Sequence, residues 1–286
     1  MPKYLVTGSD GFIGKALVKR LLTQGISVES FDINKGDIAE KDSLNIFKDA
    51  EINHVFHLAG KTFVPDSWKN PFDFYRTNIL GTTNVLEFCR EQKCSLTFVS
   101  SYTYGNPDYL PIDEKHPIKS YNPYSNSKNL AEEVCNFYIK NFGIKTAIIR
   151  PFNVYGPTQS NRFLIPEIIQ KAFNDELIEV MDLKPKRDFI FIDDLIEALL
   201  LSVNNTGIYN IGSGYSVSVE EIIKIVLEKA VIKKAYQSKN ISRENEIFNV
   251  VADISKAKKE LNWMPKTTFE EGIEICINNY LCEKEK

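Results

Sequence analysis

Apolar residues along the chain follow two alternating rhythms. Short runs at 4–8 (YLVTG), 27–32 (SVESFD), 54–60 (HVFHLAG), 95–100 (SLTFVS) and 145–151 (KTAIIRP) are bounded by Gly, Asp, Ser or Pro and read as strands. Between them apolar positions recur at helical spacing, in 14–25 (GKALVKRLLTQG, stopped by Gly25) and around 41–50, 78–93 and 124–141. Strand and helix in alternation predict an α/β fold, a doubly wound parallel sheet with helices on both faces. After Pro151 the rhythm changes. Helical patterns at 162–173 and 217–230 flank a stretch with two short strands, 178–194, while 193–203 and 207–212 resemble one more sheet-covering helix and one more strand. The expected organisation is a larger unit of residues 1–155 and 188–212 with a smaller α/β C-terminal lobe, 156–187 and 213–286, interleaved with it.

Composition narrows the classes. At 286 residues, 43% hydrophobic and 26% charged, the chain can bury a sizeable core and is not globally disordered. A formal net charge of −3 provides no broad basic surface, which argues against nucleic acid as a partner. Five cysteines (Cys89, Cys94, Cys135, Cys276, Cys282) make an odd set without C-x-x-C, and the three histidines lack zinc-ligand spacing, so no metal is expected. The N-terminus runs directly into KYLVTG and no apolar run reaches spanning length, so a cytoplasmic protein without a membrane partner is expected.

The segment TGSDGFIG places Gly8, Gly11 and Gly14 between a predicted strand and a predicted helix. Such glycines can serve the turn alone. In this context they also let a dinucleotide pyrophosphate approach the backbone, and the helix that follows offers its N-terminal amides and dipole. This is the fingerprint of a Rossmann-type domain, with Phe12 and Ile13 inside the cofactor turn. Asp32 ends the second strand, 18 residues beyond Gly14, where a carboxylate can accept from adenosine ribose hydroxyls and repel a 2′-phosphate. That favours NAD, although Asp32 could instead cap its own turn, and the nearby Lys35 keeps NADP open.

In NPYSNSKNLAEE, Asn122 and Pro123 make a good helix start, and Tyr124, Lys128, Ala131 and Cys135 share one helical face. A phenol of ordinary pKa ~10 is a poor proton shuttle near neutrality, and a neighbouring ammonium favours its phenolate. Lys128 is therefore expected to tune Tyr124 and to hold a cofactor sugar hydroxyl. The same spacing at Tyr280 and Lys284 has no glycine turn, strand end or serine to serve it.

Together TGSDGFIG, HLAG (57–60), NILGTTNVLE (78–87), FVSSYTYG (98–105), YSNSK (124–128) and RPFNVYGP (150–157) resemble the extended short-chain dehydrogenases/reductases. Within them the chain is similar to the NAD-dependent epimerase/dehydratase enzymes acting on nucleotide sugars. RDFIFIDD, YNIGSG and DISKAKKELNWMPK extend the likeness almost to the end of the chain. The resemblance implies that Ser100, with Ser101 as the fallback in a shifted register, hydrogen-bonds the reacting sugar oxygen. It makes Tyr124 the general acid/base and Lys128 its partner. It further implies that Asp37 and Ile38 contact adenine, that Leu58, Ala59, Gly60 and Pro151 line the cofactor, and that Asn78 is structural. Asn153 would touch the sugar nucleotide and Arg187 would pair with its diphosphate; a turn residue and a surface ion pair are the plainer readings of those two.

Ser101 and Tyr102 occupy the places where 4,6-dehydratases of this family carry acids, which disfavours dehydration. Reduction of a nucleotide-4-keto-6-deoxy sugar and 4-epimerisation with retained NAD both remain. Asp32 leans toward the epimerase. The short connection after Asp32 and the segments 59–71 and 179–189, most like GDP-4-keto-6-deoxymannose reductases, tip the reading to a 4-ketoreductase. A non-catalytic dinucleotide sensor is the minor alternative, and it would not need Ser100, Tyr124 and Lys128 together. The expected partners are a nucleotide-diphosphate sugar and a second copy of the chain, a homodimer through helices 78–93 and 124–141 as in relatives.

Overall fold

The structure, a computed structural model, describes residues 2–241 and 246–284. Its first half reads β1 (Lys3–Thr7), α1 (Phe12–Thr23), β2 (Ser27–Phe31), β3 (His54–His57), α2 (Val64–Lys69), α3 (Pro71–Tyr75), α4 (Gly81–Gln92), β4 (Ser95–Val99), α5 (Pro123–Phe142) and β5 (Thr146–Pro151). The second half continues with β6 (Asn153–Tyr155), α6 (Leu164–Asn174), β7 (Leu177–Val180), β8 (Lys186–Arg187), β9 (Phe189–Phe191), α7 (Ile192–Leu201), β10 (Gly207–Ile211), β11 (Val217–Ser218), α8 (Val219–Lys229), β12 (Ala235–Ser238), α9 (Ser255–Glu260) and α10 (Phe269–Lys284).

Six strands form one parallel sheet in the order β10-β5-β4-β3-β1-β2. Every residue of β3, β4 and β5 is buried, as a sheet covered on both faces requires. Adjacent residues feed opposite faces. Leu5, Val55 and Ile148 enter the core shared with α4 and α5. Val6, Phe56 and Ile149 enter the core shared with α1 and α7, which continues into the C-terminal helices. The strand order reverses between β1 and β3, so a crevice opens at their carboxyl ends, and doubly wound folds bind ligands at such a crevice.

The smaller region packs α6, α8 and α10 around the parallel pair β7–β12 and the antiparallel pair β8–β11. Between the two regions lies the β6–β9 pair. Asp188 joins the segments there. Its buried carboxylate accepts from the amide of Ser213 at 2.6 Å, its hydroxyl at 2.8 Å, and the amides of Gly214 and Ala252 at 3.0 Å each.

Two expected helices differ. Around 41–50 only one 3₁₀ turn forms, Asn45–Phe47, because Asp42 adopts a left-handed φ of 63° and the connection must still bury Leu44 and Phe47. The helix expected over 78–93 begins with a π-helical turn, Arg76–Leu80, before α4. The short helices α2 and α3 each start with proline at their first or second position, which the strand-and-helix rhythm alone does not reveal. Helix α10 absorbs the second Tyr–Lys pair: the Tyr280 hydroxyl accepts from Asn174 and the Lys284 ammonium lies over the Tyr280 ring. Among the described residues no helix is long and apolar enough to cross a membrane.

Candidate functional site

At the end of β1, Gly8 has a φ of +71°, and a Cβ there would meet the Ala59 amide nitrogen at 2.6 Å. Both facts require glycine. At Gly14 a Cβ would fall 2.0 Å from the Gly8 carbonyl oxygen, so that glycine lets α1 pack on its own turn. Gly11 is less constrained, with the nearest atom at 3.2 Å. It is also the N-cap of α1, and no side chain caps the first-turn amides that Phe12 and Ile13 share, which leaves them available to an anion. The dinucleotide implied by the sequence fits this cradle. Leu58 and Ala59 are fixed beside it, their amides donating to the Thr7 carbonyl at 3.1 Å and the Thr7 hydroxyl at 3.3 Å.

Asp32 grips the turn itself. One carboxylate oxygen accepts from the Asp10 amide at 2.8 Å and the other from the Ile33 amide at 2.7 Å. Asp10 adds a second carboxylate at this corner, tethered by the Asn34 side chain at 3.0 Å. Lys35 turns back to donate to the Ser30 carbonyl at 2.7 Å, so its cation is engaged on β2. Asp37 pairs with Arg76 at 2.6 Å, and that hydrogen bond, with one from the Ala39 amide, holds its carboxyl below the usual range. Ile38 is buried beneath Gly81 in the α4 core.

The catalytic candidates sit on α5 and at the end of β4. Asn122 and Ser125 form a reciprocal capping box with Pro123 at the first helical turn, which fixes where Tyr124 starts the helix. Lys128 is 5% exposed and donates to the Val99 carbonyl at 2.6 Å, with its ammonium 4.4 Å over the Phe98 ring. Burial lowers its pKa to about 8, against a raising influence from Glu132. A Cβ on Gly60 would lie 4.0 Å from the Lys128 ammonium and 3.0 Å from the Asn78 side-chain oxygen, so the end of β3 meets α5 directly. Asn78, in the π-helical turn, donates to Ser127 on α5 at 2.9 Å and accepts from the Lys61 amide at 2.8 Å, as a structural residue should.

One expectation fails here. Tyr124 is not drawn down by Lys128: burial pushes its pKa up to about 12, opposed by a hydrogen bond from Ser101. The ammonium is committed to the Val99 carbonyl, and its charge is partly answered by Glu132. Ser100, 5% exposed, donates to the Glu132 carboxylate. Pro151 closes β5 one residue beyond Arg150, in register with Ile211.

On the substrate side, Asn153 accepts from the Tyr102 hydroxyl at 2.8 Å and donates to the Asp188 carbonyl at 2.9 Å, while the Tyr102 ring stacks on Phe152 at 4.9 Å. Arg187, which the resemblance pairs with a substrate diphosphate, forms an ion pair with Glu246 and donates to the Ile247 carbonyl. Helix α2 also reaches the loop before α6: Arg162 pairs with Asp66 at 2.9 Å and lies 3.6 Å over the Phe63 ring.

Sequence reading missed Asp10, Glu132, Arg150 and Glu246. Two of them carried a signal. Arg150 is a charge inside a buried apolar strand, and Glu132 lies one turn beyond Lys128 on the buried face of α5; either demands a partner.

The profile of the family described as GDP-mannose 4,6 dehydratase matches residues 27–276. A provisionally named UDP-glucose 4-epimerase of Methanocaldococcus jannaschii is 36% identical, over 96% of this chain and 97% of that one. The GDP-6-deoxy-D-mannose reductase of Pseudomonas aeruginosa is 28% identical, over 97% of each. Among solved structures, the UDP-glucose 4-epimerase of Thermus thermophilus in complex with NAD is similar at a TM-score of 0.89 and 27% identity, covering 98% of this chain and 99% of that one. The chain belongs to this family, the extended short-chain dehydrogenases/reductases that modify nucleotide sugars, and is an NAD(P)-dependent nucleotide-sugar 4-epimerase or 4-ketoreductase.

Proposed function

We propose that the protein is a nucleotide-sugar 4-epimerase that keeps NAD through its cycle. The observation that carries this reading is the anionic corner at the ribose end of the cradle. Asp32 and Asp10 bring two carboxylates there, and Lys35 donates to the Ser30 carbonyl. A 2′-phosphate would meet two carboxylates against the charge of Lys35, so this corner favours NAD. The 36% identity to a protein carrying the epimerase name supports the same direction, whereas the 59–71 and 179–189 segments favour the ketoreductase.

NAD held in this cradle would supply a hydride acceptor and donor for the sugar C4. Tyr124, as phenolate, accepts the C4 hydroxyl proton as hydride leaves and gives it back to the oxygen when hydride is returned to the other face. That role requires positive charge brought beside it to offset the burial that raises its pKa. Ser100 and Ser101, side by side at the end of β4, orient that oxygen. Lys128 holds a buried positive charge beside the cofactor-side wall at Gly60. Asn153 orients the sugar nucleotide, and Arg187 takes the diphosphate by exchanging its Glu246 partner for it. Neither residue that follows Ser100 in the chain is an acid: Ser101 hydrogen-bonds Tyr124 and the Tyr102 hydroxyl is spent on Asn153, so loss of water from C5 and C6 has no proton carrier at those two positions. The assembly we infer is a homodimer through α4 and α5, where Phe137 of α5 and Leu80, at the end of the π-helical turn before α4, are exposed, which sedimentation would register as twice 32.7 kDa.

The second reading, a 4-ketoreductase, keeps the same Ser100, Tyr124 and Lys128 and draws on the likeness to the Pseudomonas reductase. Denaturing protein purified without added nucleotide and identifying what it releases separates the two. One NAD per chain is the expected result. An empty site that binds NADPH and oxidises it against a nucleotide-4-keto-6-deoxy sugar would replace the epimerase by the reductase.

A further inference from the structure

We propose that Glu132 is a positioning residue for the reaction at C4, acting through the hydroxyl of Ser100. The inference rests on reading Ser100 as the group that faces the reacting sugar oxygen. Glu132 is 2% exposed on α5 and pairs with Arg150 of β5, itself 2% exposed, at 2.5 Å. Removing two charges from water is costly, and apolar residues of the same volume commonly serve packing as well or better, so a buried pair invites a reason other than stability. Its contacts provide one. Arg150 Nε reaches both Glu132 oxygens at 3.0 and 3.2 Å, and the carboxylate also receives the Ser100 hydroxyl hydrogen.

The other arm of Arg150 fixes the direction of the whole chain. Nη1 donates to the Tyr104 hydroxyl at 2.8 Å, Tyr104 donates to the Asn210 side-chain oxygen at 2.6 Å, and the Asn210 amide nitrogen donates to the Ile112 carbonyl at 2.9 Å. Tyr104 and Asn210 are 1% and 0% exposed. Turning any one donor around would leave a buried polar atom without a partner, so the network has one orientation. Ser100 therefore keeps its hydrogen pointing at Glu132, and only its oxygen lone pairs remain for the cleft. Glu132 holds that proton and does not transfer it. The consequence is a division of labour: Ser100 can only accept from the hydroxyl of the 4-hydroxy sugar before that single proton passes to Tyr124, and donation to the 4-keto sugar falls to Tyr124.

The test compares the full-length enzyme with Glu132→Leu/Arg150→Met, Glu132→Gln/Arg150→Met and Ser100→Ala, alone and combined. The assays are interconversion of UDP-galactose and UDP-glucose or, if that is silent, reduction of dTDP-4-keto-6-deoxyglucose. Glu132→Leu/Arg150→Met should lose kcat about 100-fold with KM and NAD content unchanged, the size expected when a reacting contact is misplaced. The Gln variant restores an acceptor oxygen for Ser100 and should recover to within about tenfold of wild type. In a Ser100→Ala background the Leu/Met pair should cost nothing further, whereas structural damage would multiply through. An active wild type whose Leu/Met variant keeps its kcat, or loses as much again without Ser100, would overturn the inference alone. A wild type inert with both substrates, or a fully active Ser100→Ala, would overturn the functional reading and this inference with it. Should the Leu/Met pair fail to fold, Tyr104→Phe removes the far acceptor of Arg150 together with the donor to Asn210 and leaves Glu132 and Arg150 in place. It should lower kcat about threefold with Ser100 present and not at all without it, and equal losses in both backgrounds would count against the proposal.

Discussion

The turn from Thr7 to Gly14 and the first turns of α5 meet across the carboxyl ends of the sheet, and they satisfy their constraints in opposite ways. At the turn, atoms are left out: side chains at Gly8 and Gly14 would fall within 2.6 and 2.0 Å of backbone. At α5, atoms are brought in that a core ordinarily excludes, since Lys128, Glu132 and Arg150 are all 5% exposed or less. The first arrangement is local, made by residues within one turn and the strand beside it. The second is long-range, because each buried charge is answered from another element: Val99 on β4, Arg150 on β5, Tyr104 in the loop that follows β4. A substitution at the turn should therefore act on folding and cofactor affinity, and one at α5 should act on turnover.

The sharpest way to break that contrast is Tyr124→Phe. It removes one hydroxyl from a half-buried ring and leaves the edge contact with Phe74, at 6.4 Å, in place. We expect kcat to fall by ~10³-fold or more, at the upper end for a positioned acid/base, with NAD binding and melting temperature retained. Calorimetric titration with NAD beside a turnover assay measures both. A variant that turns over normally would remove the chemistry from α5 altogether.

Next come the glycines, where two substitutions of equal chemistry should differ. Gly14→Ala must displace the Gly8 carbonyl and should destabilise the protein by about 3 kcal/mol or prevent folding. Gly11→Ala meets its nearest atom at 3.2 Å and should fold, with NAD affinity lowered about tenfold as the methyl crowds the pyrophosphate path. Urea melts with and without NAD separate the two. Equal behaviour would mean that the turn is not as local as its contacts imply.

The third prediction concerns the sheet centre between the two ends. His54 and His57 of β3 are buried neutral, each held down to about 3 by desolvation. His57 bridges the Thr7 hydroxyl at 2.8 Å and the Thr82 hydroxyl at 3.1 Å; His54 bridges Ser95 at 2.7 Å and Thr97 at 3.0 Å. Unfolded histidine takes a proton near pH 6.5 and these folded ones do not, so stability is complete above 6.5 and is lost as pH falls below it. The expected slope between pH 6 and 4.5 approaches about 1.4 kcal/mol per pH unit for each histidine. Glu114 and Asp188, whose carboxyls burial pushes up, gain protons in the folded state and blunt it. Denaturant midpoints across that range measure the slope, and His54→Gln should reduce it by about half.

The same contrast explains what could be read from sequence. The glycine turn was legible because its rule is local: strand, three glycines, helix, acid at the next strand end. The start of α5 was legible too, since Asn122 and Pro123 act within one turn. The Ser100–Glu132–Arg150 cluster was not, because its members lie 18 to 50 residues apart and meet only through the sheet register. The helix expected at 41–50 failed for a related reason: its periodicity was real, yet the left-handed Asp42 and the burial of Leu44 and Phe47 were set by the tertiary path. Arg187 shows the limit of motif transfer, for its partner in the structure, Glu246, comes from a segment 59 residues away.

The smallest effect expected is also the one that sharpens the cofactor reading. Asp10 and Asp32 divide one corner. Asp32 is bound to two backbone amides, so Asp32→Asn disturbs the turn as well as the charge. Asp10 uses its carboxylate to receive Asn34 at 3.0 Å, and an amide there keeps an acceptor oxygen while removing the charge. Asp10→Asn should therefore fold as wild type, leave NAD affinity within about twofold, and improve NADP affinity by about three- to tenfold, the effect of one screened charge several ångströms from a phosphate. Raising the salt concentration should shrink the difference between the two proteins, because it acts through charge alone. If Asp10→Asn left NADP binding unchanged while Asp32→Asn raised it, discrimination would belong to Asp32 by itself, and the corner would be a single-carboxylate site with a tethered neighbour.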